Sequence, residues 1–194
     1  MLNDPRISRL RRTFESRPAA AAHRDPDQRE AAVALLVRPR HTLEVLLIRR
    51  AELHGDPWSG HIALPGGRRA DSDPDLLATA CRETLEEVAI PVHRIGTFLG
   101  ALDEVAPASR RIPPILVAPF VLAVPADTRA VPDPREVQAA FWVPIEALRD
   151  RHAVTEILVD GDAGPLRFPS LRYEEYVIWG LTYRILQQFL GAVG

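Results

Sequence analysis

Three glutamates one helical turn apart, downstream of a double glycine, constrain this chain more than any other feature. The stretch reads Ala80-Cys81-Arg82-Glu83-Thr84-Leu85-Glu86-Glu87-Val88-Ala89-Ile90. On a helix advancing about 100° per residue, Glu83, Glu86 and Glu87 fall within an arc of about 100°. Leu77, Cys81, Leu85 and Val88 fall on the opposite side, which predicts one core face and one carboxylate face. Carboxylates this close repel unless water, salt or a cation neutralises them. A solvated acidic face is the plain alternative. The context favours a cation: Pro65-Gly66-Gly67 lies upstream, and two glycines let a backbone turn tightly and approach a phosphate closely.

The surroundings predict an α+β fold, an α/β/α sandwich. Apolar runs at 31–37 and 43–48 read as strands joined by a turn. A short strand at 61–64 leads into the glycines. Asp73 as N-cap and Pro74 at the first helical position predict a helix to about Ala89. Strands are expected at 95–102, 115–124 and 137–143, a short helix at 144–150, and a hairpin at 154–168 around Asp160-Gly161-Asp162. A last helix is expected over 174–190, carrying Tyr176, Ile178, Trp179, Tyr183, Ile185, Leu186 and Phe189. The whole reads as a mixed β-sheet flanked by helices. Residues 1–28 read as a partly helical N-terminal arm, with Ile7, Leu10 and Phe14 at helical spacing, and 29–194 as one domain.

Composition removes several chemistries. All 24 basic side chains among the Lys and Arg are arginine. No lysine Schiff base and no lysine-bearing phosphate loop can form. Any side-chain cation on a phosphate must be a guanidinium, whose planar fork binds phosphate in a bidentate manner. Arg49, Arg50, Arg68 and Arg69 flank the glycines, and Arg110-Arg111 are further candidates. A net charge of −2 provides no field to gather nucleic acid, so no nucleic-acid partner is expected. No apolar run reaches membrane-spanning length, so no membrane is expected. The lone Cys81 excludes an intrachain disulfide and suits a cytoplasmic protein. Cys81 reads as a packed hydrophobe. His54 and His61 lack the partners of a zinc site, and Ser59 lacks a nucleophile elbow. The opening residues have no apolar core of a signal peptide.

The segment from Gly67 through Arg82-Glu83-Thr84-Leu85-Glu86-Glu87-Val88-Ala89-Ile90 resembles the signature box of the Nudix hydrolases. It departs at four places. The spacing from Gly67 to Arg82 is one residue longer, Asp73 stands near the first box glutamate, Thr84 replaces an apolar residue, and Ala89 replaces the last glycine. The spacing and the alanine resemble the coenzyme A pyrophosphatase branch. So do Leu46-Leu47-Ile48-Arg49-Arg50-Ala51, Gly60 and Leu64-Pro65-Gly66-Gly67, although Ile48 and Leu64 replace a threonine and a phenylalanine and a middle arginine is missing. The likeness continues in Ala118-Pro119-Phe120-Val121, Glu136-Val137 and Ile178-Trp179-Gly180.

The resemblance implies metal-dependent hydrolysis of a pyrophosphate in a nucleoside diphosphate derivative. Coenzyme A or its thioesters would give 3′,5′-ADP and 4′-phosphopantetheine. ADP-ribose or another nucleotide is one alternative, and a non-catalytic nucleotide-binding module is a second. Mg²⁺ or Mn²⁺ is the implied cofactor, held by Glu83 and Glu87 with Glu86 sharing a second ion. Arg82 would fix a carboxylate rotamer. The general base would be one of these glutamates, Glu83, Glu86 or Glu87, or a carboxylate from a distant loop, Glu104 or Glu136. Arg49, Arg50, Gly66, Gly67 and Arg68 would bind substrate. A homodimer through the arm or the last helix is a further expectation.

Overall fold

The computed structural model describes residues 4–20, 22, 28–52, 55, 58–107, 114–161 and 164–193. The chain runs α1 (Pro5–Glu15), β1 (Arg29–Pro39), β2 (Leu43–Arg50), β3 (Ile62–Ala63), β4 (Gly66–Arg68), α2 (Leu76–Val88), α3 (Val92–Ile95), β5 (Thr97–Ala101) and β6 (Ile115–Ala123). It continues through β7 (Val137–Pro144), α4 (Ile145–Arg149), β8 (Val154–Gly161), β9 (Gly164–Tyr173), β10 (Tyr176–Trp179) and α5 (Gly180–Ala192).

The apolar runs become strands buried on both faces. Leu35 and Val37 of β1, with Val45 and Leu47 of β2, enter one core cluster; Ala34, Leu36, Leu46 and Ile48 enter the other. Successive side chains alternate across a strand, so a continuous run must be covered on both sides. Helices α1, α4 and α5 supply one cover through Ile7, Leu10, Phe14, Ile145, Leu148, Ile185, Leu186 and Phe189. Helices α2 and α3 supply the other through Ala80, Val88 and Val92. The result is the expected α/β/α sandwich around a mixed sheet.

The seven-stranded sheet has the order β3-β2-β1-β6-β5, with β4 added to β1 and β7 to β2. Strand β1 runs parallel to β6 along its length. On its other edge it meets β4 at Ala31–Val33 and β2 at Val37–Pro39. That split places the double glycine beside the first half of β1. Strands β8, β9 and β10 form a separate antiparallel sheet.

Helix α1 is anchored as its spacing predicts. The Asp4 carboxylate accepts the Arg6 N–H, and Ile7, Leu10 and Phe14 are buried. Phe14 stacks on Phe189 of α5, ring centroids 6.2 Å apart.

Five expectations need correction. The final helix begins at Gly180, and Tyr176–Trp179 form strand β10 instead, paired with β9. The aromatic and β-branched run Tyr-Val-Ile-Trp suits a strand once β9 offers a partner. Gly66–Arg68 form a strand that the glycines disguised. The N-cap of α2 is Asp75, whose side chain accepts the Ala78 N–H, and Asp73 is used elsewhere. Leu85 is 42% exposed, while Thr84 and Glu87 are buried, so α2 is turned towards its glutamates. Cys81 is only partly buried for the same reason. The hairpin of β8 and β9 is longer than predicted, and its residue Asp162 lies outside the described residues.

Candidate active site

The rotation of α2 carries one carboxylate into the sheet. Glu87 is 1% exposed, and its Oε2 accepts the Gly66 N–H at 2.8 Å. Gly66 has φ +153, and a Cβ there would overlap the Ala32 carbonyl and the Val33 backbone. The glycine is therefore required where β4 lies against β1, and this approach aims its N–H at α2. Arg50 Nη1 stands 3.8 Å from Glu87 Oε1. Burial pushes the Glu87 carboxyl up to about 8, against the pull of the Gly66 N–H and Arg50; Glu83 and Glu136 push it further up.

Glu83 lies one turn earlier, at the border of the buried face. Its carboxylate packs so closely on Gly67 that a Cβ on Gly67 would collide with it. Burial raises its pKa, Arg82 lowers it, and the charges of Glu86 and Glu136 raise it. Glu86 is more exposed and reaches Arg82 at 3.0 Å. The three glutamates thus span a gradient from buried Glu87 to solvated Glu86.

Arg82 organises this face. Its Nε and Nη2 donate to Asp73 Oδ1 and Oδ2, both at 3.0 Å, and Nη2 also reaches the Arg68 carbonyl at 3.1 Å. Its Nη1 lies 2.8 Å from Glu83 Oε1. Asp73 accepts further bonds from the Ala70 N–H and the Thr79 hydroxyl, each at 2.9 Å. These donors hold the Asp73 carboxyl well below the usual carboxylate range, with the Arg82 bonds as the largest cause. Sequence reasoning gave Asp73 to helix capping and missed this role. The signal was present: Asp75 offers a second cap two residues on, which frees Asp73.

Glu136 comes from before β7, and its charge acts on both Glu83 and Glu87. It is set there by the main chain: its carbonyl accepts the Ala51 N–H at 2.8 Å, and the Asp133 N–H donates to the Glu87 carbonyl at 2.9 Å. Glu104 is engaged elsewhere, accepting the Ala22 N–H at 2.8 Å. Arg50 reaches the cluster, but Arg49 reaches Glu52 at 3.2 Å instead. Arg68 is exposed beside the Gly66–Gly67 strand. Arg69 is a strut, paired with Glu30 at 2.9 Å. Arg110, Arg111 and His54 lie outside the described residues. The ring of His61 packs against Trp179, centroids 4.8 Å apart.

This glycine strand, carboxylate helix and buttressing arginine lie inside the match to the NUDIX domain family, which covers residues 27–159. The chain belongs to the Nudix family. Nudix hydrolases generally use divalent metal ions such as Mg²⁺ or Mn²⁺ and hydrolyse pyrophosphate bonds in nucleotide derivatives. The chain is 32% identical over 174 residues to the "Uncharacterized Nudix hydrolase NudL" of Salmonella dublin, covering 89% of this chain and 86% of that one. It is 40% identical over 119 residues to "Uncharacterized protein C14C4.10c" of Schizosaccharomyces pombe, covering 60% of this chain and 36% of that longer one. A MutT/nudix family protein from Enterococcus faecalis shares the fold, with a TM-score of 0.56, 14% identity, and coverage of 92% of this chain and 64% of that one.

Among the described residues, no three His, Cys, Asp or Glu side chains already converge on one point as metal ligands. Glu83 and Glu86 turn to Arg82 and Glu87 to Gly66. The donor set nevertheless fits a Nudix cation. It offers hard carboxylate oxygens, partly stripped of water and repelling one another, which is the chemistry Mg²⁺ and Mn²⁺ accept.

Proposed function

We propose that the chain hydrolyses the pyrophosphate bond of a nucleoside diphosphate derivative, with coenzyme A or its thioesters as the substrate class. One observation carries the reading: two partly desolvated glutamates, Glu83 and Glu87, rest against Gly66 and Gly67 with the charge of Glu136 acting on both. Such a cluster is costly unless a cation and an anionic substrate complete it. The upstream residues Arg49-Arg50-Ala51, Gly60 and Leu64-Pro65-Gly66-Gly67 support the coenzyme A branch. On this reading residues 29–194 are the hydrolase domain and 1–28 an arm.

Glu83 and Glu87 would hold Mg²⁺ or Mn²⁺, and Glu86 would share a second ion. When bound, such an ion neutralises phosphoryl oxygens and lowers the pKa of water. Arg82, fixed by Asp73, holds the Glu83 carboxylate in its rotamer. Arg50 and Arg68 bind the substrate's phosphates, and Gly66 and Gly67 let the main chain approach β1 and the Glu83 carboxylate closely beside them. Glu136 takes a proton from the attacking water. Water's oxygen bonds to one phosphorus, the bridging P–O bond breaks, and the products are two phosphomonoesters. For coenzyme A these are 3′,5′-ADP and 4′-phosphopantetheine.

ADP-ribose or another nucleotide is the second reading. Ile48, Leu64 and the missing middle arginine favour it, because they depart from the coenzyme A pattern. The test is incubation with Mg²⁺ or Mn²⁺ and a panel of coenzyme A, ADP-ribose, NADH, diadenosine polyphosphates and nucleoside triphosphates, with products identified by mass. The expected result is preferential cleavage of coenzyme A. Preferential cleavage of ADP-ribose moves the assignment to the second reading. Tight binding of one member without turnover of any overturns hydrolysis.

A further inference from the structure

A second polar constellation lies at the other end of β1, on the same face of the sheet as α2. Arg38 is only 8% exposed. Its Nε donates to Glu44 Oε2 at 2.6 Å, and its Nη1 donates to the Thr128 carbonyl at 2.7 Å. Its Cζ stands 4.1 Å from the centre of the Trp142 ring. The guanidinium is thus held on three sides by a carboxylate, a carbonyl and an aromatic face. Its Nη2 makes no hydrogen bond among the described residues.

Arg38 lines a cavity of about 160 Å³ together with Arg40, Ala126, Asp127 and Arg129. The Arg40 charge presses on Arg38. The Thr128 hydroxyl, between two lining residues, is buried with no hydrogen-bond partner among the described residues. Glu44 is already committed to Arg38, and Asp127 is one carboxylate against Arg40 and Arg129, so the cavity keeps a net positive charge that a bound anion would offset. Six residues of strand separate Arg38 from Ala32, which pairs with Gly67. At a strand's rise this is about 20 Å, so the cavity is separate from the glutamate cluster.

We infer that the cavity lined by Arg38, Arg40 and Arg129 is a binding site for one phosphate group. A rigid, prepositioned guanidinium loses little freedom on binding. Donors from three side chains match a tetrahedral oxyanion better than a planar carboxylate. The volume admits a phosphate or the terminal phosphate of a monoester, with the ester's remainder outside. Asp127 would repel a fully deprotonated anion, but it can accept the proton of a hydrogen phosphate. Sulfate carries no such proton near neutral pH, so phosphate should be preferred. This inference does not depend on the proposed reaction.

The test is a titration of the full chain with inorganic phosphate at constant ionic strength, followed by backbone amide NMR shifts. Saturable shifts at residues 126–129 are expected, weakened about tenfold or more in Arg129→Ala and in Arg40→Ala. Both side chains are exposed, so the variants should fold, which their spectra would show. Sulfate should bind more weakly. An AMP arm that shifts the same residues with similar affinity assigns the site to phosphomonoesters as well as free phosphate. Shifts that follow sodium chloride equally, survive both substitutions, or never saturate at 126–129 overturn the site. Equal affinity for sulfate overturns the role of Asp127.

Discussion

Asp73 and Arg82 are joined by two parallel hydrogen bonds, Nε to Oδ1 and Nη2 to Oδ2, nine residues apart in the chain. The same guanidinium then reaches Glu83 and Glu86. Asp73 therefore sets the helix's acidic face without belonging to the helix.

Replacing Asp73 by Asn should remove the charge and one arm of this pair. Breaking a buried charge-assisted pair costs on the order of 2–4 kcal/mol, so chemical denaturation at neutral pH should show a clear loss. Because the folded Asp73 pKa is depressed, its stabilisation is complete above the unfolded value and is lost as pH falls through the usual carboxylate range towards the folded value. Denaturation midpoints measured from pH 6 down to pH 3 should fall less steeply for the variant than for the parent.

Glu87 predicts the opposite slope. Its folded pKa, pushed up to about 8, exceeds the ordinary glutamate value. The folded state then holds more protons than the unfolded state between these values, so metal-free stability should decline as pH rises through about 4.5 to 8. Glu87→Gln should flatten that decline. Added Mn²⁺ should raise the melting temperature of the parent more at pH 8 than at pH 6, since proton and cation compete for the same oxygens. Under the proposed function the variant should also lose a hundredfold or more in turnover, on the order of 3 kcal/mol of transition-state stabilisation.

The two glycines should respond differently to alanine. At Gly66 a Cβ meets main chain at a left-handed φ, so Gly66→Ala should cost about 2–4 kcal/mol or prevent folding, read by expression and thermal melting. At Gly67 the nearest atoms it meets are those of the Glu83 carboxylate, the end of a flexible side chain that can swing aside. Gly67→Ala should melt within a few degrees of the parent while its Mn²⁺ affinity, measured by calorimetry, falls.

Ala89 ends α2 in the left-handed region at φ 53, with its N–H on the Leu85 carbonyl. Glycine removes the Cβ clash at such a position. Ala89→Gly should therefore stabilise the protein by about 1 kcal/mol, a rise in denaturation midpoint with no change in its slope.

The strands and the sandwich were legible because β1 and β2 are unbroken apolar runs, and such runs need two covers. The carboxylate cluster was legible because glutamates three and four apart share a helix face. Its orientation was not. Leucine counting placed Leu85 in the core, but the Gly66 N–H draws Glu87 inward and turns Leu85 to solvent. Strand β4 has no side-chain pattern to read, since two of its three residues are glycine. Strand β10 fits a helical period as well as a strand, and only its partner β9 decides. Glu136 and Arg50 join the cluster through main-chain pairing across β2 and β7, a proximity that no local spacing encodes.

Glu87 joins three stretches of chain: its side chain takes the Gly66 N–H and faces Arg50, and its carbonyl takes the Asp133 N–H. This double duty changes what an ancestry of such proteins can record. A descendant that gave up hydrolysis and kept only recognition would still be selected to retain this acid as mortar between its segments. Glu86, which is half-exposed and pairs with Arg82 at the surface, would be free to drift. Under the proposed function, position 86, more than position 87, is where lapsed catalysis would leave its mark.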